Sequence, residues 1–153
     1  MDTVSAQQIA RELLTLVPML NRLIAQELQD DATLVQMRVL ALLSDTPLTL
    51  SALARKRRIS LQAASEHVHG LVDRGWVVRV ADAKDRRQFA LHATDEGRRQ
   101  LEQARQLVVN RLLPALDQLS TEESATIHNG LLMLREILAD NVPAEAVPAP
   151  LTD

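Results

Sequence analysis

The residues of this chain best equipped for chemistry are its cations, and they are concentrated. The stretch "DAKDRRQF" at 82–89 sets three cations and two carboxylates in six consecutive positions, between two alternating apolar segments. A second cluster, "RKRR", occupies 55–58. Residues 55–87 hold nine Lys/Arg against four Asp/Glu, a local charge of +5, whereas the remainder carries −8 and the whole chain −3. A basic middle between acidic ends is where a polyanionic partner would dock.

Catalytic constellations do not compete with that reading. There is no Gly-rich phosphate loop, no HExxH, no G-x-S-x-G and no cysteine nucleophile, and paired acids occur only at helix starts. His67 and His69, two apart on a helix, point in different directions, so they do not make a metal site; His92 and His128 are isolated. The sequence therefore predicts a binding protein without catalysis, cofactor or metal.

Those cations need elements to position them, and the hydrophobic period supplies the elements. Residues 5–29 read as a long amphipathic helix with Ile9, Leu13, Leu16, Leu20 and Leu23 on its stripe and a kink or broken turn at Pro18. Thr33 with Gln36 has the form of a capping box opening a second helix. After the "SDTP" turn, "TLSALARKRR" is a short helix ending in the basic cluster. "ISLQAASEHVHGLVDRG" is another, with Ser60 as N-cap and Gly75 as a left-handed stop. On a helical wheel Leu61, Ala64, Val68, Leu71 and Val72 share one face; Gln62, Ala63, Glu66, Gly70 and Asp73 share the opposite one.

The period then changes from 3.6 to 2. "WVVRVA" and "QFALHA" read as two strands of a hairpin around the charged tip, with Trp76 and Phe89 inward, packing the hairpin onto the helices. A long helix restarts at Thr94 and is kinked at Pro114. Ser120 with Glu123 caps a last helix from about 121 to 139. The Pro-rich end, "DNVPAEAVPAPLTD", has no periodicity and reads as a mobile tail. The expected organisation is an N-terminal dimerisation helix (1–31), a winged helix-turn-helix (32–93), C-terminal dimerisation helices (94–139) and the tail (140–153). The fold class is mainly α with a small β-hairpin wing.

Composition narrows the function further. One Trp, one Phe and no Tyr argue against an aromatic stacking platform for single strands. Without cysteine there are no disulfides or thiolate-zinc sites. The polar, acidic start carries no secretory signal and no apolar run reaches the length of a membrane span, so the expected location is the cytoplasm. Helices near 25 residues long, flanking a module of about 60, carry more apolar surface than one small core absorbs. A dimer seam follows.

The stretches "LTLSALARKRRISLQAASEHVHGLVDRGWVVRV" and "DAKDRRQFALHATDEGRRQL" resemble the MarR family of dimeric winged helix-turn-helix transcription regulators. Leu71, Gly75, Trp76, Val77 and Arg79 follow the pattern after the recognition helix. Asp82, Asp85, Arg86 and Arg87 follow that of the wing, and Thr94 with Gly97 that of the next helix. The detailed likeness covers about residues 45–105. It departs at Ala83, where proline is common, at Glu66, where a basic or small polar residue is frequent, and at Trp76 and Ala93, which replace leucines.

The resemblance implies a homodimer on a pseudo-palindromic operator in duplex DNA, a repressor relieved by a small aromatic or carboxylate effector. Ser60, Gln62, Ala63, Glu66 and His67 would then lie at the major groove, and Lys84, Arg86 and Arg87 on the wing. Asp85 would shape the wing, and Arg55, Lys56, Arg57 and Arg58 would meet phosphates. The alternative is a winged-helix module whose basic face binds an acidic protein. Arg11 or Arg22 is the expected partner for an effector carboxylate; no ligand pocket is placed by the sequence.

Overall fold

A computed structural model describes residues 4–28, 31–81 and 89–142. The chain order is α1 (Ala6–Glu27), α2 (Asp31–Asp45), β1 (Leu48–Thr49), α3 (Leu50–Arg57), α4 (Leu61–Asp73), β2 (Val77–Ala81), β3 (Phe89–Ala93), α5 (Asp95–Leu116) and α6 (Thr121–Asn141). The three strands form one antiparallel sheet in the order β1-β3-β2. Among the described residues, six helices with this small sheet make a winged-helix fold.

Local chemistry explains most element boundaries. Ser5, Thr49, Ser60, Thr94 and Ser120 each accept a backbone N–H of the first helical turn, relieving donors that have no intrahelical partner. Ser120 and Glu123 form the expected capping box. α2 differs: it begins at Asp31, so Thr33 lies inside its first turn and is not the cap. Helices α1 and α5 run through Pro18 and Pro114 without a break.

The core is assembled entirely from the middle of the chain. Val39, Leu40 and Leu43 of α2, Leu53 of α3, Val68 and Leu71 of α4, Val77 of β2 and Leu91 of β3 are sealed from solvent, with Leu101 of α5 closing one side. Outside this module burial fails. Neither α1 nor α6 has a single buried residue, and α5 buries only Gly97 and Leu101. Leu16, Val17, Met19 and Leu20 of α1, Leu112, Leu113 and Leu116 of α5, and Leu131, Met133, Ile137 and Leu138 of α6 all lie exposed. Between α1 and α5 runs an apolar groove of about 870 Å³, lined by Leu16, Met19, Leu20, Arg22, Leu23 and Leu112 among others. Among the described residues no helix is long and apolar enough to cross a membrane.

The hairpin presents different faces from those its alternation suggested. Val77 pairs with Ala93, Arg79 with Leu91, and Ala81 with Phe89. Val77, Leu91 and Ala93 are buried, but Val78 and Val80 are 44% and 46% exposed and Phe89 is 56% exposed. Phe89 therefore does not pack the wing onto the helices. Val78 and Val80 pair with His92 and Ala90 on the side of the hairpin opposite Val77, Leu91 and Ala93, and Phe89 stands at the tip end of the core-facing side, exposed. Trp76 is half-buried against the core, as expected, although it precedes β2 rather than lying within it.

Candidate nucleic-acid interface

Helices α3 and α4 are joined by a three-residue turn, and each of the two helices closes in a Schellman-type end. At the end of α3, Ile59 N–H donates to Ala54 O at 3.0 Å and Arg58 N–H to Arg55 O at 3.1 Å, with Arg58 left-handed at φ 53°. At the end of α4, Trp76 N–H donates to Leu71 O and Gly75 N–H to Val72 O, both at 2.9 Å, with Gly75 at φ 72°. Glycine suits that conformation; arginine at Arg58 is strained there. Ser60 Oγ then accepts from Ala63 N–H at 3.1 Å and starts α4. The result is a helix-turn-helix anchored through Leu53, Ala54, Ala64, Val68 and Leu71, all buried.

The exposed stripe of α4 is Gln62, Glu66, His69 and Asp73, at spacings of four, three and four. Gln62 Nε2 donates to Glu66 Oε1 at 3.2 Å, and His69 Nε2 lies 3.3 Å from Asp73 Oδ2. Ala63 is half-buried on the shoulder of the helix. His67 is half-buried too, with an Nδ1 that is covered and has no hydrogen-bond partner among the described residues. His69 was not expected on this stripe; its i+3 relation to Glu66 was the signal available in the sequence. Gly70 was expected on the outward face, but it lies half-buried against α2. A Cβ there would come 2.7 Å from Gln36 Nε2. Its small size leaves room for the end of the Gln36 side chain.

Cations flank the stripe and do not lie on it. Arg55 and Arg58 are exposed before α4, and Arg74 and Arg79 after it; Lys56 and Arg57 are half-buried. Burial, with a smaller contribution from the Arg38 guanidinium, holds the Arg57 pKa below the usual arginine value. Arg74 stacks on Trp76, its guanidinium carbon 5.0 Å from the ring centroid. The wing residues Lys84, Asp85, Arg86 and Arg87 lie outside the described residues, as does the Pro-rich end from 143 onward.

The wing is locked to α4 through the start of α5. Thr94 N–H donates to Trp76 O at 2.9 Å, Thr94 Oγ1 donates to Gly75 O at 2.7 Å, and the same hydroxyl oxygen accepts from Gly97 N–H at 3.0 Å. Arg98 Nη1 adds a bond to Ala93 O at 2.7 Å. Between wing and helix-turn-helix lies a groove of about 290 Å³, lined by Leu50, Leu61, Ser65, Arg79, Phe89 and Leu91 among others. Among the described residues no group of three or more His, Asp or Glu could hold a metal.

Comparison with known proteins agrees with this geometry. Residues 30–88 match the profile described as the MarR family. A search of curated proteins found no match. Among solved structures, the chain is similar to a protein of Pseudomonas aeruginosa at 26% identity and TM-score 0.73, over 88% of this chain and 98% of that one. It is also similar to wild-type MarR of Escherichia coli in its apo form, at 24% identity and TM-score 0.67, over 88% and 98%. A third is FabT of Streptococcus pneumoniae in complex with DNA, at 23% identity and TM-score 0.61, over 90% and 100%. The last two likenesses are likenesses of fold.

Proposed function

We propose that this chain, whose residues 30–88 match the MarR family, is a transcriptional regulator of that family that binds duplex DNA as a homodimer. The observation that carries the reading is the capped, outward-facing α4 with exposed cations at both of its ends. A helix of this kind fits the major groove, where base edges are distinguishable, while flanking Arg residues neutralise phosphates. Arg55 and Arg58 would meet the backbone before α4, and Lys84, Arg86 and Arg87 of the wing would meet it in the neighbouring minor groove. Gln62, Ala63 and Glu66 would lie at the bases, with Ser60 and the start of α4 near a phosphate.

The uncovered apolar faces of α1, α5 and α6 support the dimer. Fully burying each large aliphatic side chain contributes about 1.5–3 kcal/mol, so several such residues on each helix favour a second copy strongly. Two α4 helices would then lie about 34 Å apart, reading half-sites about 10 bp apart. We further assign repression to the bound dimer and its relief to a small carboxylate effector. The groove between wing and α4 supports the effector, since it combines Arg79 and Ser65 with Leu50, Leu61 and Phe89. Arg11 and Arg22 lie on α1, away from that groove.

The test is a fluorescence anisotropy titration with duplex DNA from the gene's own upstream region and a scrambled duplex, at several salt concentrations. Sequence-dependent binding that falls steeply with salt is expected, with Arg86→Ala weakening all duplexes and reducing the slope by about 1. Equal weak binding to both duplexes would instead favour an acidic protein partner for the basic face.

A further inference from the structure

We propose that Glu66 and Gln62 act as one reading unit that selects amino-bearing base edges, cytosine above all, and rejects guanine. This rests on the DNA-binding reading above and names the base class that α4 takes. An exposed glutamine ordinarily rotates its amide and offers either a donor or an acceptor first. Here Gln62 Nε2 gives one of its hydrogens to Glu66 Oε1, at 3.2 Å. That bond turns Nε2 toward Glu66 and leaves Gln62 Oε1 an acceptor without a donor among the described residues, with one N–H beside it. Glu66 retains Oε2, a charged acceptor with no donor on its own helix.

The rest of the stripe adds nothing that would donate to guanine. α4 has no lysine or arginine between Leu61 and Asp73, and the one other donor-bearing side chain of the stripe, His69, faces Asp73 at 3.3 Å. The commonest specific contact in the major groove, a cation on guanine O6 and N7, therefore has no source on this helix face. Carboxylate and amide oxygens instead suit cytosine N4 and adenine N6. Placed near guanine O6 and N7 or thymine O4, they meet acceptors and leave a desolvated charge unpaired.

Gln62 and Glu66 lie four residues apart, about 6 Å along the helix axis. That separation reaches neighbouring base pairs, so the half-site carries a cytosine opposite Glu66 beside an adenine or cytosine opposite Gln62. The carboxylate also explains how charge is divided in this module. Phosphate attraction is left to cations off the stripe, where it does not blunt the discrimination.

The experiment is selection of half-sites from a randomised duplex pool by the full chain, followed by competition anisotropy on single-base variants. Wild type, Glu66→Gln, Gln62→Ala and the double variant are compared. All three variants alter exposed side chains, and thermal melts monitor folding. Wild type is expected to prefer cytosine over guanine at one position of each half-site by about tenfold or more. Glu66→Gln, which can keep the bond to Gln62 but loses the charge, should cut that preference to about twofold and bind guanine-bearing sites more tightly. Gln62→Ala should weaken discrimination at both positions, and the double variant should lose less than the product of the two single losses.

A guanine preference at that position, base preferences unmoved in Glu66→Gln, or strictly multiplicative losses would overturn the paired reader while leaving DNA binding intact. A wild type that distinguishes no duplex from a scrambled one would overturn both the reader and the function on which it rests.

Discussion

Replacing Gly97 by alanine tests the joint that holds the wing to the reading helix. Gly97 lies in the first turn of α5 against the backbone of Trp76. A Cβ there would stand 3.0 Å from Trp76 C and 3.1 Å from Leu40 Cδ1, and closer still to Trp76 O. Leu40 is fully buried, and the Trp76 carbonyl is fixed by the hydrogen bond it accepts from Thr94 N–H at 2.9 Å. Neither neighbour is the loose end of a side chain, so the backbone of α5 must move. Overpacking of this kind costs about 1–3 kcal/mol, and a clash with backbone belongs at the upper end. Separation of Thr94 from Trp76 O forfeits about 1 kcal/mol more. Alanine in place of glycine in a helix returns about 1 kcal/mol. The net loss is about 3 kcal/mol, or a melting temperature lower by about 6–12 °C for a chain of this size.

The assay is thermal unfolding followed by circular dichroism at one fixed chain concentration, because dimer formation makes the midpoint concentration-dependent. Trp76 is the chain's only tryptophan, so its emission reports the joint directly. Its spectrum should shift in Gly97→Ala before global unfolding. A variant melting at or above the wild-type temperature, with unchanged Trp76 emission, would refute the close approach of α5 to Trp76.

Three further outcomes follow from other residues. Gly70→Ala is expected to lie within about 0.5 kcal/mol of wild type or above it in urea denaturation, because the added Cβ meets only the far end of the flexible Gln36 side chain and alanine favours the helix; a loss beyond about 2 kcal/mol would show that Gln36 is held rigidly. Arg58→Gly should raise stability by about 0.5 kcal/mol through relief of the left-handed conformation, yet weaken DNA binding and lower its salt slope by about 1. Movement of both quantities in the same direction would count against a phosphate role for Arg58. Glu123 has its pKa lowered by hydrogen bonds from the Ser120 backbone N–H and side chain. The cap's contribution is therefore fully present above the ordinary glutamate value of 4.5 and lost as pH falls through the depressed one. Glu123→Gln should flatten the acid side of the melting profile in that window, and a profile parallel to wild type would contradict the linkage.

The elements and their ends were legible in the sequence because they rest on interactions within a few residues. Ser60, Thr94 and Ser120 cap as their positions suggested, Gly75 stops α4 in the left-handed conformation, and the change of period marks the hairpin. The excess of apolar surface on the terminal helices was legible for a similar reason, since it follows from length and stripe alone. Strand β1 was not: two residues carry no period, and Leu48 and Thr49 become a strand only through pairing with Leu91 and Ala90. Alternation likewise defines two faces of the hairpin without saying how far the core reaches. Phe89 is left exposed at the tip end of the core-facing side, and Val78 and Val80 on the other side.

The reading helix divides in the same way. Its heptad-like spacing put Gln62 and Glu66 together, but the wheel also put Gly70 outward, where a neighbouring helix, α2, in fact covers it. Which shoulder of α4 is covered depends on where α2 sits, and that is decided by distant residues such as Val39, Leu40 and Leu43 packing on Val68 and Leu71. Local spacing determines which side chains travel together; only the packing of the whole module determines which of them reach solvent.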